Sequence, residues 1–389
     1  MAGTAVNCSK RRLLVVSPTA LMSGAETVLL RLVGAAIEAG WLVDAACPPG
    51  ALARELEAAG AECSAIPDLK LPAGPLGLAL GRLAWRTAIA ARHLRATSRR
   101  SEMAVVNSIF ALPALRIAGT GRPVVWLVHD VLRRRSWFAM LHAGRAVVTL
   151  AVAVSEAVAA PLSAQGLAVE VVRNGTPWPV VPVGDEPPSP PVIGCVALLT
   201  PWKGQHVVLE AASMLPAEVT VELVGGCFPK DTPYAESLRR RAAQPDLRGR
   251  VTFVGHVDDI LARMRTWNVA VSPSIEPEAG PLAPLEAMSV GLPLVGTDHG
   301  GTSEVVGDAG LLVAPSDVCA MADALSKLLS DRELWSRCHN AGPRQIADGL
   351  TLDRQLRDLL DVIAGLADVS PARPRRPTFD PRGAREERR

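Results

Sequence analysis

The sequence predicts an α/β protein built from two doubly wound, Rossmann-like domains, each a parallel sheet with helices on both faces. Short apolar runs alternate with segments of helical periodicity throughout the chain, the pattern of strands joined by crossover helices. The run Val183-Gly-Asp-Glu-Pro-Pro-Ser-Pro-Pro191 has four prolines in five residues, which no helix interior or central strand tolerates, so it is a stiff interdomain linker. With 389 residues, 49% of them apolar, the chain is too long for one compact core and has material for two buried sheets.

Taken in order, the strand-like runs of the first half are 13–16, 42–46, 103–106, 124–128, 147–154 and 169–172. Between the first two, 26–39 places Leu29, Leu30, Leu32, Val33, Ala36 and Ile37 at helical spacing and closes at Gly40. After the linker the pattern restarts with strands at 192–197, 219–224, 251–254, 269–272, 294–296 and 310–313, and helices at 317–329 and 352–366. The tail from Ser370 carries prolines and arginines with little to bury and is expected to be disordered. The expected division is an N-terminal domain over 1–185, a C-terminal domain over 186–345, a last helix within 346–369 and the tail 370–389.

Net charge is +2 and no basic block of nucleic-acid type dominates, so nucleic acid is not an expected partner. Seven cysteines are scattered, odd in number and never in C-x-x-C spacing. They suggest no disulfide framework, no zinc site and a reducing compartment, with Cys47, Cys63, Cys195 and Cys227 read as small buried thiols. The apolar run after Lys10-Arg-Arg12 stops at Ser17-Pro18, too soon for a signal peptide, and no stretch reaches the ~18 apolar residues of a transmembrane helix. A cytoplasmic location is expected. The arginine-rich stretches 82–100 and 133–135 suit a solvated helix face first, and a peripheral contact with the inner membrane surface second.

Chemistry concentrates around Glu278 and Glu286. An apolar strand ends in a turn carrying Glu278, and a short helix carrying Glu286 follows. Such a turn lies at the carboxyl end of a strand, where open α/β sheets bind ligands. Eight residues of helix rise by roughly 12 Å, so the two carboxylates do not grip one atom. They suit hydroxyls at the two ends of a long polar molecule, with an anion at the helix N-terminus between them. Spacing alone favours two solvated helix residues; the neighbours argue for a site. Lys203, in Pro201-Trp-Lys-Gly-Gln205, stands at a strand-to-helix turn where an ammonium neutralises diphosphate charge. Ser23-Gly-Ala-Glu26 opens the first helix, Val128-His-Asp130 ends a strand, and Arg173-Asn-Gly-Thr176 is expected to form a tight left-handed turn.

The run Glu278-Ala-Gly-Pro-Leu-Ala-Pro-Leu-Glu286-Ala-Met-Ser-Val-Gly-Leu-Pro-Leu-Val295, followed by Gly300-Gly-Thr-Ser-Glu304-Val-Val306, resembles the E-x7-E region of the retaining GT-B glycosyltransferases of family 4, the glycosyl transferases group 1. The similarity extends over most of residues 12–366. It implies the GT-B plan, with the active site in the interdomain cleft and the last helix crossing back to the first domain. It implies donor contacts from Gly24, Lys203, Gly255, Gly280, Pro281, Leu282 and Glu286, with Glu286 on the ribose and Gly255 near the base. Glu278 and His129 are implied as the catalytic pair that orients the sugar. The implied reaction moves a sugar from a nucleoside diphosphate, a UDP-sugar before a GDP-sugar, to an acceptor hydroxyl on a glycan, a lipid-linked glycan or a small metabolite, by front-face displacement. No other cofactor is implied, and the absence of any Asp-x-Asp triplet argues for metal independence.

Two departures stand out. Leu198 occupies the place of the family's diphosphate-binding arginine. Pro281 removes one backbone N–H donor from the helix entrance, leaving Gly280 and Leu282 to cradle the anion. These departures keep open a non-catalytic nucleotide-sugar-binding protein; a GT-B-fold nucleotide-sugar epimerase or sugar phosphorylase is the enzymic alternative. With no G-x-G-x-x-G and no Gly-Lys-Ser/Thr, a dinucleotide oxidoreductase and a P-loop NTPase are disfavoured.

Overall fold

The computed structural model describes residues 11–70, 75–133, 135–184 and 186–369. The expected disordered tail, the start of the chain, Arg134, Asp185 of the linker and part of the loop after residue 70 lie outside these.

The first unit runs β1 (Arg12–Val16), α1 (Gly24–Glu38), β2 (Leu42–Cys47), α2 (Ala51–Ala58), β3 (Glu62–Ala65), α3 (Leu76–Arg100), β4 (Met103–Val106), α4 (Leu112–Ala118), β5 (Val124–Val128), α5 (Arg135–Gly144), β6 (Leu150–Ala153), α6 (Glu156–Ser163) and β7 (Val169–Val171). Its strands form one parallel sheet in the order β3-β2-β1-β4-β5-β6-β7. Both faces are covered, which is why the central strands are continuous apolar runs rather than alternating ones. Successive residues of β1 enter opposite cores. Leu14 and Val16 pack with Trp126, Leu94 and Leu115, and Leu13 and Val15 with Leu29, Leu32 and Leu52. The sequence reading lacked β3. Its residues Glu-Cys-Ser-Ala are half exposed at the sheet edge and carry no apolar run.

The second unit runs β8 (Val192–Val196), α7 (Gln205–Ser213), β9 (Thr220–Val224), α8 (Thr232–Ala242), β10 (Val251–Gly255), α9 (Ile260–Met264), β11 (Val269–Ser272), α10 (Leu282–Ser289), β12 (Leu294–Thr297), α11 (Gly300–Val306), β13 (Gly310–Val313), α12 (Val318–Ser330) and α13 (Arg332–Gly349). The parallel order is β10-β9-β8-β11-β12-β13. Gly194 is required in β8: a Cβ there would stand 1.9 Å from the Trp267 ring, which fills the core beneath the strand. The last helix, α14 (Leu352–Val369), places Leu359, Ile363 and Ala367 among the core residues of α1 and β2. The architecture is GT-B: two Rossmann-like parallel sheets with flanking helices.

The chain crosses between the units at 172–176, where the structure departs from one expectation. Asn174 and Gly175 have no positive φ, so no left-handed turn forms. Glycine is needed there because a Cβ on Gly175 would lie 2.3 Å from the Thr351 carbonyl, where the two crossing segments touch. The proline-rich linker is held in place by hydrogen bonds. Val183 N–H donates to the Val290 carbonyl at 2.7 Å and Asn268 Nδ2 to the Pro188 carbonyl at 2.7 Å, which ties it to the second unit.

Candidate active site

In each sheet the strand order reverses direction at one place, between β1 and β4 and between β8 and β11. The loops leaving the carboxyl ends of those strands are where open α/β sheets bind ligands. Gly24, Lys203 and Glu278 all follow switch-point strands. His129 follows the neighbouring β5, and Gly255 ends the outermost strand β10 with φ +80, its carbonyl accepting from Gly225 at 2.8 Å. Contacts join Gly24, Lys203, Glu278, Gly280 and Leu282 into one cluster, and Gly255 stands outside it.

Lys203 Nζ donates to Glu278 Oε2 at 2.5 Å, and the Ser274 hydroxyl donates to the other oxygen, Oε1. Both ends of the ion pair are shielded from water, with side-chain exposures of 18% and 9%. The Lys203 ammonium also lies 4.4 Å from the centre of the Trp202 ring. Of the two glutamates only Glu286 is helical. Glu278 belongs to the loop before α10 and turns back toward Lys203, so helical rise does not set their separation.

Pro281 is the N-cap of α10, with extended backbone. Pro284 lies within the first turn, so Leu282 and Ala283 supply the free N–H donors at this end. Gly280 is held from the other unit: its carbonyl accepts from Asn174 Nδ2 at 2.7 Å, and Asn174 Oδ1 accepts from Gln355 Nε2 at 2.9 Å. Across the cleft a Cβ on Gly24 would lie 3.7 Å from the Leu282 side chain. The N-terminal ends of α1 and α10 therefore face one another, two positive dipole ends at one place. Seven residues along α1 from Gly24, on the same face, Arg31 stands within electrostatic reach of Glu286. Burial raises the Glu286 carboxyl above its ordinary value, and Arg31 opposes that shift.

On the far wall His129 Nε2 stands 3.0 Å from Asn107 Oδ1. With Asn107 Oδ1 facing the ring as acceptor, Nε2 carries the hydrogen and Nδ1 the lone pair; in that orientation Asn107 Nδ2 is buried without a partner. Burial pulls the His129 pKa down to about 4, which keeps the ring neutral. The carboxyl of the exposed Asp130 is raised by the desolvating wall around it and by the nearby Glu26 carboxylate, with Lys70 opposing. Glu26 is buried and accepts from the Ser23 hydroxyl. Leu198 is partly buried after β8, and its carbonyl accepts from Gln205 at 2.9 Å. Among the cysteines expected to be buried, Cys227 is exposed, while burial pushes Cys47 and Cys195 up to about 12.

Sequence reasoning missed Arg31, Asn107 and Ser274. Arg31 was accessible in principle, two helical turns beyond Gly24. Asn107, one residue past β4, had no signal until the sheet brought β5 beside it.

The family pattern described as Glycosyltransferase Family 4 matches residues 22–177, and that described as Glycosyl transferases group 1 matches residues 181–345. The chain is 27% identical over 186 residues to the lipopolysaccharide core biosynthesis mannosyltransferase LpsB of Rhizobium meliloti, covering 46% of this chain and 53% of LpsB. It is 39% identical over 110 residues to sucrose-phosphate synthase of Spinacia oleracea, covering 26% of this chain and 10% of that protein. The chain thus spans about half of the first relative and a tenth of the second. In three dimensions it is similar to Anabaena HepE in complex with UDP and glucose, with TM-score 0.76 and 22% identity over 90% of this chain and 99% of that one. Sucrose-phosphate synthase of Thermosynechococcus elongatus is alike at TM-score 0.76 and 20% identity, over 92% and 99%. With both units matched in chain order, this protein belongs to the group 1 glycosyltransferases.

Proposed function

We propose that the protein is a retaining glycosyltransferase that moves a hexose-like sugar from a UDP-sugar to an acceptor hydroxyl. The observation that carries this reading is the Lys203–Glu278 pair at 2.5 Å, set beside the α10 entrance that faces α1. A diphosphate at the two helix ends takes the Lys203 ammonium as counter-ion and frees Glu278 for the sugar hydroxyls. Glu286 accepts from the ribose hydroxyls, and Gly255 lies toward the base. The HepE structures, solved with UDP and with UDP-glucose, favour uracil as the base.

The neutral imidazole of His129 accepts through Nδ1 from a sugar hydroxyl. Its low pKa makes it a poor proton acceptor, so the acceptor proton passes to a departing phosphate oxygen on the same face, which retains anomeric configuration. The leaving diphosphate gathers negative charge as the bond breaks, and Lys203 with the Leu282 and Ala283 N–H groups stabilises it. Leu198 supplies no cation at this step. The lack of any Asp-x-Asp triplet supports metal independence.

The acceptor lies on the His129 wall, a glycan in keeping with the relatives. The reading includes a cytoplasmic enzyme with peripheral membrane contact. No helix among the described residues is long and apolar enough to cross a membrane. Helix α3 has six arginines and no acidic residue, and leaves Leu78 63% and Trp85 66% exposed, which suits an anionic lipid surface.

The test is NMR of the product formed from a panel of UDP-α-sugars and hydroxyl acceptors, with and without EDTA. An α-linked product formed at the same rate in EDTA is expected. A β-linked product excludes retention, and loss of turnover restored by Mn²⁺ excludes metal independence.

A further inference from the structure

Helix α6 lacks a cap of its own. Its N-cap residue, Ser155, makes no side-chain cap, and the buried Ser155 hydroxyl has no partner. The first N–H groups of a helix need acceptors from outside it. Here they come from the other unit. Glu304, on α11, accepts from Ala157 N–H through Oε1 at 2.8 Å and from Glu156 N–H through Oε2 at 3.0 Å. Arg173 Nη2, at the start of the crossing segment, stands 3.6 Å from Glu304 Oε2. A carboxylate on two backbone donors at a helix N-terminus, with an arginine beside it, is favoured by both hydrogen bonding and the helix dipole.

The same short helix is fixed at its other end to the candidate catalytic loop. Gly301 N–H donates to the Glu278 carbonyl at 2.7 Å. Gly300 has φ +57, and a Cβ there would lie 2.4 Å from the Glu278 carbonyl oxygen. A Cβ on Gly301 would lie 2.1 Å from the Ala279 carbonyl oxygen. Glu304 follows Gly300 by about one helical turn, roughly 6 Å. So α11 is a rigid bar between the backbone of Glu278 and the N-terminus of α6.

We propose that Glu304 is a positioning residue for the transfer: by capping α6 across the cleft it couples domain closure to the placement of the Glu278 loop. The part concerning turnover rests on the transferase reading; the closure does not. When the units separate, α6 loses its acceptors and Glu304 its donors. When they close, both are satisfied, and α11 holds the Glu278 backbone in register with the His129 wall. Glu304 touches neither donor nor acceptor and acts only through α11.

Two variants test this on the full-length protein. Glu304→Gln keeps the shape but loses the charge and one acceptor oxygen. Ser155→Asp gives α6 a cap of its own from the preferred N-cap position and places a like charge before Glu304. Small-angle scattering with saturating UDP, melting temperature and UDP-sugar turnover are read for each. Both variants are expected to show a larger radius of gyration than wild type. Turnover is expected to fall about tenfold or more in each, the factor that one charge-assisted hydrogen bond is worth, with donor KM nearly unchanged. Ser155→Asp is expected to melt close to wild type, which separates closure from stability. A wild-type radius of gyration in both variants overturns the proposal. So does a lowered melting temperature in Glu304→Gln with scattering and turnover unchanged, which marks a merely structural cap. If scattering changes as expected while wild type turns over no UDP-sugar, Glu304 remains a closure contact and it is the transferase reading that fails.

Discussion

Lys203 and Glu278 form a shielded ion pair at 2.5 Å between the loops that follow β8 and β11. Removing one partner strands a charge with little access to water, a loss of about 3 kcal/mol where no other partner relieves it. Lys203→Met is expected to lower unfolding stability by roughly that amount in urea titrations. Adding Glu278→Gln to that variant recovers most of the loss, because a neutral amide leaves no stranded charge. Equal stability of single and double variants would mean that the pair contributes packing only.

Burial raises the Glu286 carboxyl and Arg31 opposes the shift, which sets two pH trends. A carboxyl raised in the folded state contributes stability below its unfolded pKa and loses it as pH rises through the folded one. For binding the direction is opposite, since the ionised carboxylate is the better acceptor for ribose hydroxyls. UDP affinity is therefore expected to fall on acidification through the raised Glu286 pKa. Arg31→Met moves that fall to higher pH. An identical pH profile in wild type and Arg31→Met excludes Arg31 as the charge partner.

His129, held down to about 4, gives a stability trend of the other sign. The unfolded imidazole takes a proton near pH 6.5 and the folded one resists it. The contribution is complete above about 6.5 and is lost as pH falls toward 4. Melting temperature is expected to drop more steeply over this window in wild type than in His129→Gln. Turnover is expected to show no acid limb near 6.5 from this residue, and parallel melting curves for the two proteins would contradict its neutral state.

Gly280 is pressed against the first unit: an added Cβ would lie 2.9 Å from Asn174 Nδ2 and 2.9 Å from Val154. Gly280→Ala is expected to force the α10 entrance away from that wall, costing about 1–3 kcal/mol in the closed arrangement and correspondingly in turnover. Thermal stability of each unit changes little, because neither core is touched. Turnover within twofold of wild type would show that the contact is not part of the working geometry.

The fold was legible because parallel strands buried on both faces are written as continuous apolar runs, and 12 of the 13 strands among the described residues are such runs. The exception, β3, is an edge strand whose half-exposed residues need no such run. Around the site, glycine–helix and lysine–turn motifs were legible because each is set by local backbone. The orientation of Glu278 was not: its carboxylate follows a contact between residues 75 positions apart. The hydrogen bond that Glu304 makes to α6 spans 147 positions, and no local pattern announces it. Contacts across the crossing segment, such as Gln355 to Asn174, likewise depend on where α14 returns.

Titration calorimetry of UDP and GDP into wild type, Lys203→Ala and Glu286→Ala tests the central claim most directly. Micromolar UDP binding, weaker GDP binding and a loss of roughly 2–3 kcal/mol in each variant are predicted. Absence of binding by either nucleotide to the wild-type protein would contradict the nucleotide-sugar site itself.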